Sequence, residues 1–205
     1  MYDITPTVSN RLKVWPGDTP PSREILLDMA KGDNLTLSTL HATVHLGAHA
    51  DAPSHYRKDA ASIESAELEL YMGECEVVRA TARRGKRVDI EDLRGAGSGE
   101  RVLIATGTFP DPESFNEDFS GLAPELIEHL AGQGTRLIGV DMPSVDAFDS
   151  KDLPAHNACL ANDVMILEGL VLANVPAGRY ELLALPLKLE GFDASPVRAV
   201  LRSLQ

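Results

Sequence analysis

Apolar positions along this 205-residue chain gather in short runs separated by Gly, Pro and polar clusters, a pattern that predicts more strands than helices. Residues 35–45 (Leu-Thr-Leu-Ser-Thr-Leu-His-Ala-Thr-Val-His) are rich in Thr and other β-formers, and runs at 76–81, 101–106, 136–141 and 180–187 read the same way. Helical spacing is confined to two places. Residues 120–133 hold Pro124, then Leu126, Ile127 and Leu130, with Gly132 and Gly134 as a stop. Asp-Ala-Ser-Pro at 193–196, followed by Val197, Val200, Leu201 and Leu204, predicts a second helix with Pro196 in its first turn. Strands with interspersed helices make this an α/β chain. No internal repeat, low-complexity tract or linker divides it, and its length suits a single domain spanning 1–205. A chain of this size buries roughly 70% of its unfolded surface, enough for a substantial core. Gly95-Ala-Gly-Ser-Gly99 reads as a flexible connection and not a phosphate loop, because no Lys-Ser/Thr pair follows it.

Composition narrows the partners. Hydrophobic residues make up 43% and charged residues 24%, the ordinary balance of a globular protein. A formal net charge of −12 repels phosphate backbones and argues against nucleic acid as a partner. The one short basic cluster, Arg83-Arg84-Gly85-Lys86-Arg87, reads as a charged turn. The chain opens without a basic segment leading into an apolar one, and no apolar run approaches the ~20 residues of a spanning helix. The expectation is a cytoplasmic protein that does not engage membranes. Two cysteines, Cys75 and Cys159, lie among apolar or small neighbours without CxxC spacing and read as core thiols.

Chemistry concentrates in His45-Leu-Gly-Ala-His49-Ala-Asp51-Ala-Pro-Ser-His55, which holds three of the six histidines. Imidazole and carboxylate are the ligand types preferred by zinc and similar divalent ions. Residues 45, 49, 51 and 55 are separated by even numbers of positions, so a continuous strand would put them on one face. A four-residue extended step covers ~13 Å, however, too far for one metal with bonds of ~2 Å. The segment must therefore bend after His45, with Gly47 permitting unusual backbone angles and Pro53 ending ladder pairing. The small Ala48, Ala50 and Ala52 are expected to let the backbone crowd an ion. Glu168 stands inside the apolar run 164–172, where burial is costly without a partner; a cation, an Arg or a turn to solvent would each serve. His156 sits in a predicted loop, Leu-Pro-Ala-His-Asn-Ala. His41, within a strand, and His129, beside Glu125 and Glu128, are weaker candidates. Trp15, the only tryptophan, lies in a loop setting that favours a binding role.

These residues give the chain a resemblance, over nearly its whole length, to the bacterial kynurenine formamidase (arylformamidase) family of cyclase-like hydrolases. The marks are Val14-Trp15-Pro16-Gly17-Asp18-Thr19-Pro20, the His45–Tyr56 segment, Gly139-Val-Asp141-Met-Pro-Ser-Val-Asp146, Ala155-His156, Ile166-Leu-Glu168-Gly169, Ala184-Leu-Pro-Leu-Lys188 and Asp193-Ala-Ser-Pro-Val-Arg198. The resemblance implies a swivelling β/β/α cyclase-like fold with a mixed sheet and few helices, a homodimer, and two divalent metal ions per subunit, usually Zn2+. The implied activity is metal-dependent hydrolysis of N-formyl-L-kynurenine to L-kynurenine and formate, a step of tryptophan degradation via the kynurenine pathway. By position, His45, His49, Asp51 and Glu168 would hold the first metal. Asp51, His156 and Glu168 would hold the second, with both carboxylates bridging. His55 would be the proton donor and acceptor, and Trp15 would line the substrate's aryl pocket. Leu46 and Met142 stand where the family more commonly has Thr, differences expected to bear on substrate fit. The alternative activity is a related cyclic-amide or lactone hydrolase, such as an isatin hydrolase, using the same metal site. A non-catalytic metal-binding protein is the rival of a different class, and His55, outside the implied ligand set, argues against it.

Overall fold

Four parallel strands, Met72–Ala80, Arg101–Ala105, Leu137–Val140 and Met165–Glu168, form the middle of a ten-stranded mixed sheet. Beyond Met72–Ala80, strands Gly178–Leu183, Val200–Ser203 and Tyr2–Asp3 add antiparallel neighbours. Beyond Met165–Glu168, His49–Asp51 and then Ala194–Pro196 do the same. The computed structural model describes residues 1–95 and 97–204; Ala96, within the Gly95–Gly99 connection, lies outside them, as does Gln205.

Every residue of Arg101–Ala105 is buried, because both faces of the sheet are covered. Side-chain alternation divides the core in two. Val102, Ile104, Ile138, Val140 and Ile166 face helices α1 (Pro124–Gly132) and α2 (Pro154–Ala161), while Leu103, Leu137 and Leu167 face the opposite core. That opposite core also draws in Val77, Leu182, Leu201 and Ala50 from outlying strands, so the sheet curls around it. The α/β architecture expected from the sequence, a mixed sheet with few helices, is the one observed, with two α-helices among the described residues.

Helix α1 starts at Pro124 and not at 120, because Pro is suited to the first helical position and the residue before it is held extended. Gly121–Leu122 pairs instead with Arg87–Val88. Leu126, Ile127 and Leu130 are fully buried, each contributing roughly 1.5–3 kcal/mol of transfer free energy. The second predicted helix does not form. Residues 194–196 and 200–203 are strands, paired with His49–Asp51 and with Gly178–Leu183. Apolar spacing in so short a run fits either form, and a waiting sheet edge decides it. Conversely, the loop expected around His156 is helix α2, whose Pro154 occupies its first turn. The strand expected over 35–45 is shorter, Leu37–His41, and pairs with Ser22–Leu27 in a separate hairpin. Cys75 and Cys159 are buried free thiols, both pushed upward by burial, Cys75 to about 12. Gly85 lies in an exposed turn of the basic cluster. No helix among the described residues is long and apolar enough to cross a membrane.

Close backbone contact sets the geometry next to Glu168. Gly169 has φ +66°, and a Cβ there would lie 2.1 Å from the carbonyl oxygen of Gly47. We predict that Gly169→Ala lowers stability by about 1–3 kcal/mol, roughly 2–4 °C of Tm per kcal/mol, whereas Gly132→Ala, which meets no atom within 4 Å, leaves Tm unchanged or slightly raised. Thermal unfolding of the two variants checks this, and equal melting temperatures would refute the packing argument.

Candidate functional site

Sheet register gathers the acidic and imidazole side chains. Glu168 is the antiparallel partner of His49, and Ile166 that of Asp51, so His49, Asp51 and Glu168 project from one face. It is the face that carries the helices, and α2 lowers His156 onto it. Ala48, Ala50 and Ala52 point the other way, into the opposite core, so their small size serves strand packing and not an approach to an ion. The chain bends where expected: Gly47 has φ +58°, and Pro53–His55 forms a 3-10 turn. His45 and His55 enter the cluster from these two bends.

Asp51 and Glu168 each stand between imidazoles. Asp51 Oδ1 is 3.1 Å from His45 Nδ1 and 3.5 Å from His49 Nε2, while Asp51 Oδ2 is 3.5 Å from His156 Nε2. Glu168 Oε2 is 3.3 Å from His49 Nε2 and Oε1 is 3.8 Å from His156 Nε2. Glu168 Oε1 also accepts the Val145 amide at 2.7 Å. The back of each ring is fixed. His49 Nδ1 lies 2.9 Å from the Gly47 carbonyl, and His156 Nδ1 lies 2.9 Å from Asp146 Oδ2. Those contacts fix the orientation of both rings and turn each Nε2 toward the carboxylates. Both Nε2 atoms and both Asp51 oxygens are buried without a hydrogen-bond partner.

Buried ions of one sign cost several kcal/mol each unless countered. Here the counter-charge is imidazolium. Burial works to depress His45, but Asp51, Asp193 and Glu168 overcome it and raise it to about 9. His156 behaves alike, raised to about 10 against its burial by Asp146, Asp51 and Glu168. Burial pushes the Asp51 carboxyl up, and the His156 and His45 rings more than reverse this, holding it well below the usual carboxylate range. Imidazole and carboxylate donors converge within 4.8 Å in the groups His45–His49–Asp51 and Asp51–His55–His156. This donor set, with its unpartnered buried atoms, fits divalent metal, which would take the place of the ring protons.

The cluster forms one side of a cavity of about 510 Å³. Trp15 lines it, half-buried, 4.9 Å from the Phe148 ring, 5.8 Å from Phe115 and 6.0 Å from Phe119. Phe109 extends the cluster, so four of the five phenylalanines gather behind one tryptophan. Leu46 and Met142, expected to bear on substrate fit, do not line the cavity; both are buried in the protein interior. His41 lies away from the site, 3.0 Å from Glu24 on an exposed hairpin, and His129 is exposed beside Gln133.

Three carboxylates were assigned no role in the sequence. Asp193 Oδ2 is 3.1 Å from His45 Nε2 and 3.3 Å from His55 Nδ1. Asp146 is almost fully buried, accepts the Ala155 and His156 amides that open α2 as well as the His156 ring, and is thereby held below its ordinary value despite burial. Asp141 accepts the amides of Thr106 and Gly107 and the Thr106 hydroxyl, while burial raises its pKa. The sequence offered one signal for Asp141, a carboxylate ending an apolar strand. Asp146 and Asp193 are recognisable only once the chain has folded back.

Comparison with known proteins places this geometry in context. The family described as "Putative cyclase" matches residues 2–147. The chain is 45% identical over 205 residues, all of this chain and 94% of the relative, to the kynurenine formamidase of Erythrobacter litoralis (strain HTCC2594). Among solved structures it is similar to a "predicted metal-dependent hydrolase from Bacillus stearothermophilus", with TM-score 0.81 and 30% identity, covering 98% of this chain and 96% of that one. It shares its fold with isatin hydrolase A from Labrenzia aggregata, with TM-score 0.84 and 22% identity over 100% of this chain and 93% of that one.

Asp146→Ala would leave His156 Nδ1 and two amides of the α2 first turn unsatisfied in the interior. We expect a loss of about 1–3 kcal/mol, read by urea unfolding, with Asp146→Asn retaining part of it. An Asp146→Ala variant as stable as the parent would show that these contacts contribute nothing.

Proposed function

The chain belongs to the cyclase family, and from that premise we propose that it is a metal-dependent arylformamidase that hydrolyses N-formyl-L-kynurenine to L-kynurenine and formate. One observation carries the reading. His49 and His156, whose Nε2 atoms are buried and unpartnered beside the equally unpartnered Asp51 oxygens, line a cavity walled on its other side by Trp15, Phe109 and Phe115. A site of that make-up suits metal on one side and an aryl group on the other. The name of the Erythrobacter relative supports the formamide as substrate. The likeness to isatin hydrolase, at 22% identity, carries the fold alone.

In this proposal residues 1–205 act as one domain holding two divalent ions, zinc by preference. His45, His49, Asp51 and Glu168 hold the first, and Asp51, His156 and Glu168 the second. The two oxygens of Asp51 lie nearest different imidazoles, as do those of Glu168, which supports a bridging role for each carboxylate. Bound there, the ions supply Lewis-acid polarisation of the formyl oxygen and make water more acidic. Trp15 holds the aryl ring. His55 is the proton carrier. Its Nδ1 faces the ionised Asp193, so that nitrogen keeps its hydrogen and Nε2 is free to move a proton. His55 Nε2 takes the proton released as water adds to the formyl carbon and returns it to the aniline nitrogen as the C–N bond breaks. An aryl amine is a good leaving group among amines, which lightens the acid's task.

The proposal extends to a cytoplasmic homodimer. Strands Ser22–Leu27 and Leu37–His41 form a hairpin outside the main sheet, and both are exposed along almost their whole length. Leu40 is 62% exposed, and Ile25, Leu26, Met29 and Leu37 are also bare. An isolated two-stranded hairpin is marginal in water, and an apolar patch of this kind marks a contact surface.

Four measurements test these points. Asp51→Ala should lose bound metal together with activity, as judged by elemental analysis, while His55→Ala should keep its metal and lose about 10²–10⁴-fold in kcat. Normal metal content in the first variant, or full turnover in the second, refutes the assignment. Parallel assays should show N-formyl-L-kynurenine consumed far faster than isatin, and the opposite order would transfer the reading to cyclic amides. Light scattering should report a dimer that Ile25→Glu combined with Leu40→Glu converts to monomer; a monomeric parent protein ends the dimer proposal.

A further inference from the structure

We infer that Lys13 and Asp18 select aryl formamides that carry an amino-acid head group, Lys13 receiving the α-carboxylate and Asp18 the α-ammonium. The inference rests on the formamidase reading and names what in the cavity would distinguish that substrate from a plain formanilide.

The cavity is rich in acidic groups, and its four histidines stand against carboxylates, leaving little other positive charge. Asp18, Asp141, Glu168 and Asp193 line it, and Lys13 is the one Lys or Arg among its lining residues. A chain with a formal charge of −12 repels an incoming carboxylate, so a substrate bearing one needs a fixed cation at the site. Lys13 is exposed and engages through its backbone, donating its amide to the Pro112 carbonyl at 2.9 Å, which leaves the side chain to the cavity.

The acidic partner follows from what the other carboxylates already do. Asp141 is saturated by the Thr106–Gly107 turn. Glu168 stands among Val145, His49 and His156, and Asp193 between His45 and His55. Among the described residues, the Asp18 side chain has only a long contact, 3.5 Å, from the Thr43 hydroxyl. It is the lining carboxylate with capacity to spare for an ammonium.

Both residues sit on the loop that carries Trp15. The Asp18 amide donates to the Trp15 carbonyl at 2.9 Å, closing a turn through Gly17 at φ +103°, and Thr43 donates its amide to Thr19 at 3.0 Å. The loop is thus pinned to the protein at Pro112 on one side and Thr43 on the other. An aryl ring against Trp15 has a cation supplied two residues before it and an anion three residues after it. The matched pair reads a zwitterion, and an uncharged formanilide gains nothing from either member.

The test compares N-formyl-L-kynurenine with 2′-formamidoacetophenone, which keeps the ring, ketone and formamide but lacks the amino acid. The wild type should prefer the former. In Lys13→Met the preference, taken as the ratio of the two kcat/KM values, should fall about 10–100-fold, through KM and not kcat for N-formyl-L-kynurenine. Lys13→Arg should restore most of it. Asp18→Asn should weaken the preference for N-formyl-L-kynurenine but not disadvantage its deamino analogue, which has the carboxylate alone. A ratio unmoved by Lys13→Met overturns the inference while leaving the formamidase reading intact. A wild type that hydrolyses neither compound removes both.

Discussion

Two carboxylates, Asp51 and Glu168, are held out of water on the helix-bearing face of the sheet, with imidazoles for neighbours and no lysine or arginine in contact among the described residues. Burying such charge is costly enough to unfold a protein of ordinary stability unless positive charge is brought to it. Much of the local architecture answers that requirement. The antiparallel register sets His49 opposite Glu168, α2 brings His156 down from above, and the Gly47 bend returns His45 to Asp51. Protons on His45 and His156 meet the requirement in part, and the divalent ions proposed here would meet it fully.

The arrangement works because strand alternation keeps chemistry and packing apart. Along residues 48–52 the alanines enter one core while His49 and Asp51 face the other side. Gly139 and Gly169 serve the same end, since a side chain at either would strike Leu103 or the Gly47 carbonyl and push the strands off register. The metal side of the cavity is consequently built on strands and a helix, with rings whose rear nitrogens are fixed by Gly47 and Asp146. The aryl side is built on loops around Trp15. A rigid floor beneath a loop-built wall is a division that lets substrate preference change without disturbing the donor set.

The histidine-rich segment was legible because imidazole, carboxylate, Gly and Pro occur there at a density that a surface loop does not need. The bend after His45 followed from chain geometry alone, and the apolar setting of Glu168 marked it as a buried charge requiring a partner. Other features could not be read. Residues 193–204 carry apolar spacing compatible with helix or strand, and only the free edge beside His49–Asp51 and the strand Gly178–Leu183 settle the choice. Helix α2 is built from small residues with little periodic contrast, so its one forward signal was Pro154.

By itself the sequence determined which residue types are present, where local chain chemistry forces a turn, and that a buried carboxylate would need an opposing charge. Tertiary structure alone decided which distant groups meet. Asp146 precedes His156 by ten residues and Asp193 follows His45 by 148, yet each lies within about 3 Å of its imidazole. Likewise the phenylalanines that gather behind Trp15 come from separate loops, and the free capacity of Asp18 is visible only after every neighbouring carboxylate has found its donors. The physical reason is one of range. Backbone preferences act over a few residues, whereas hydrogen bonding and charge compensation act through space, on neighbours that exist only after the sheet has paired and curled.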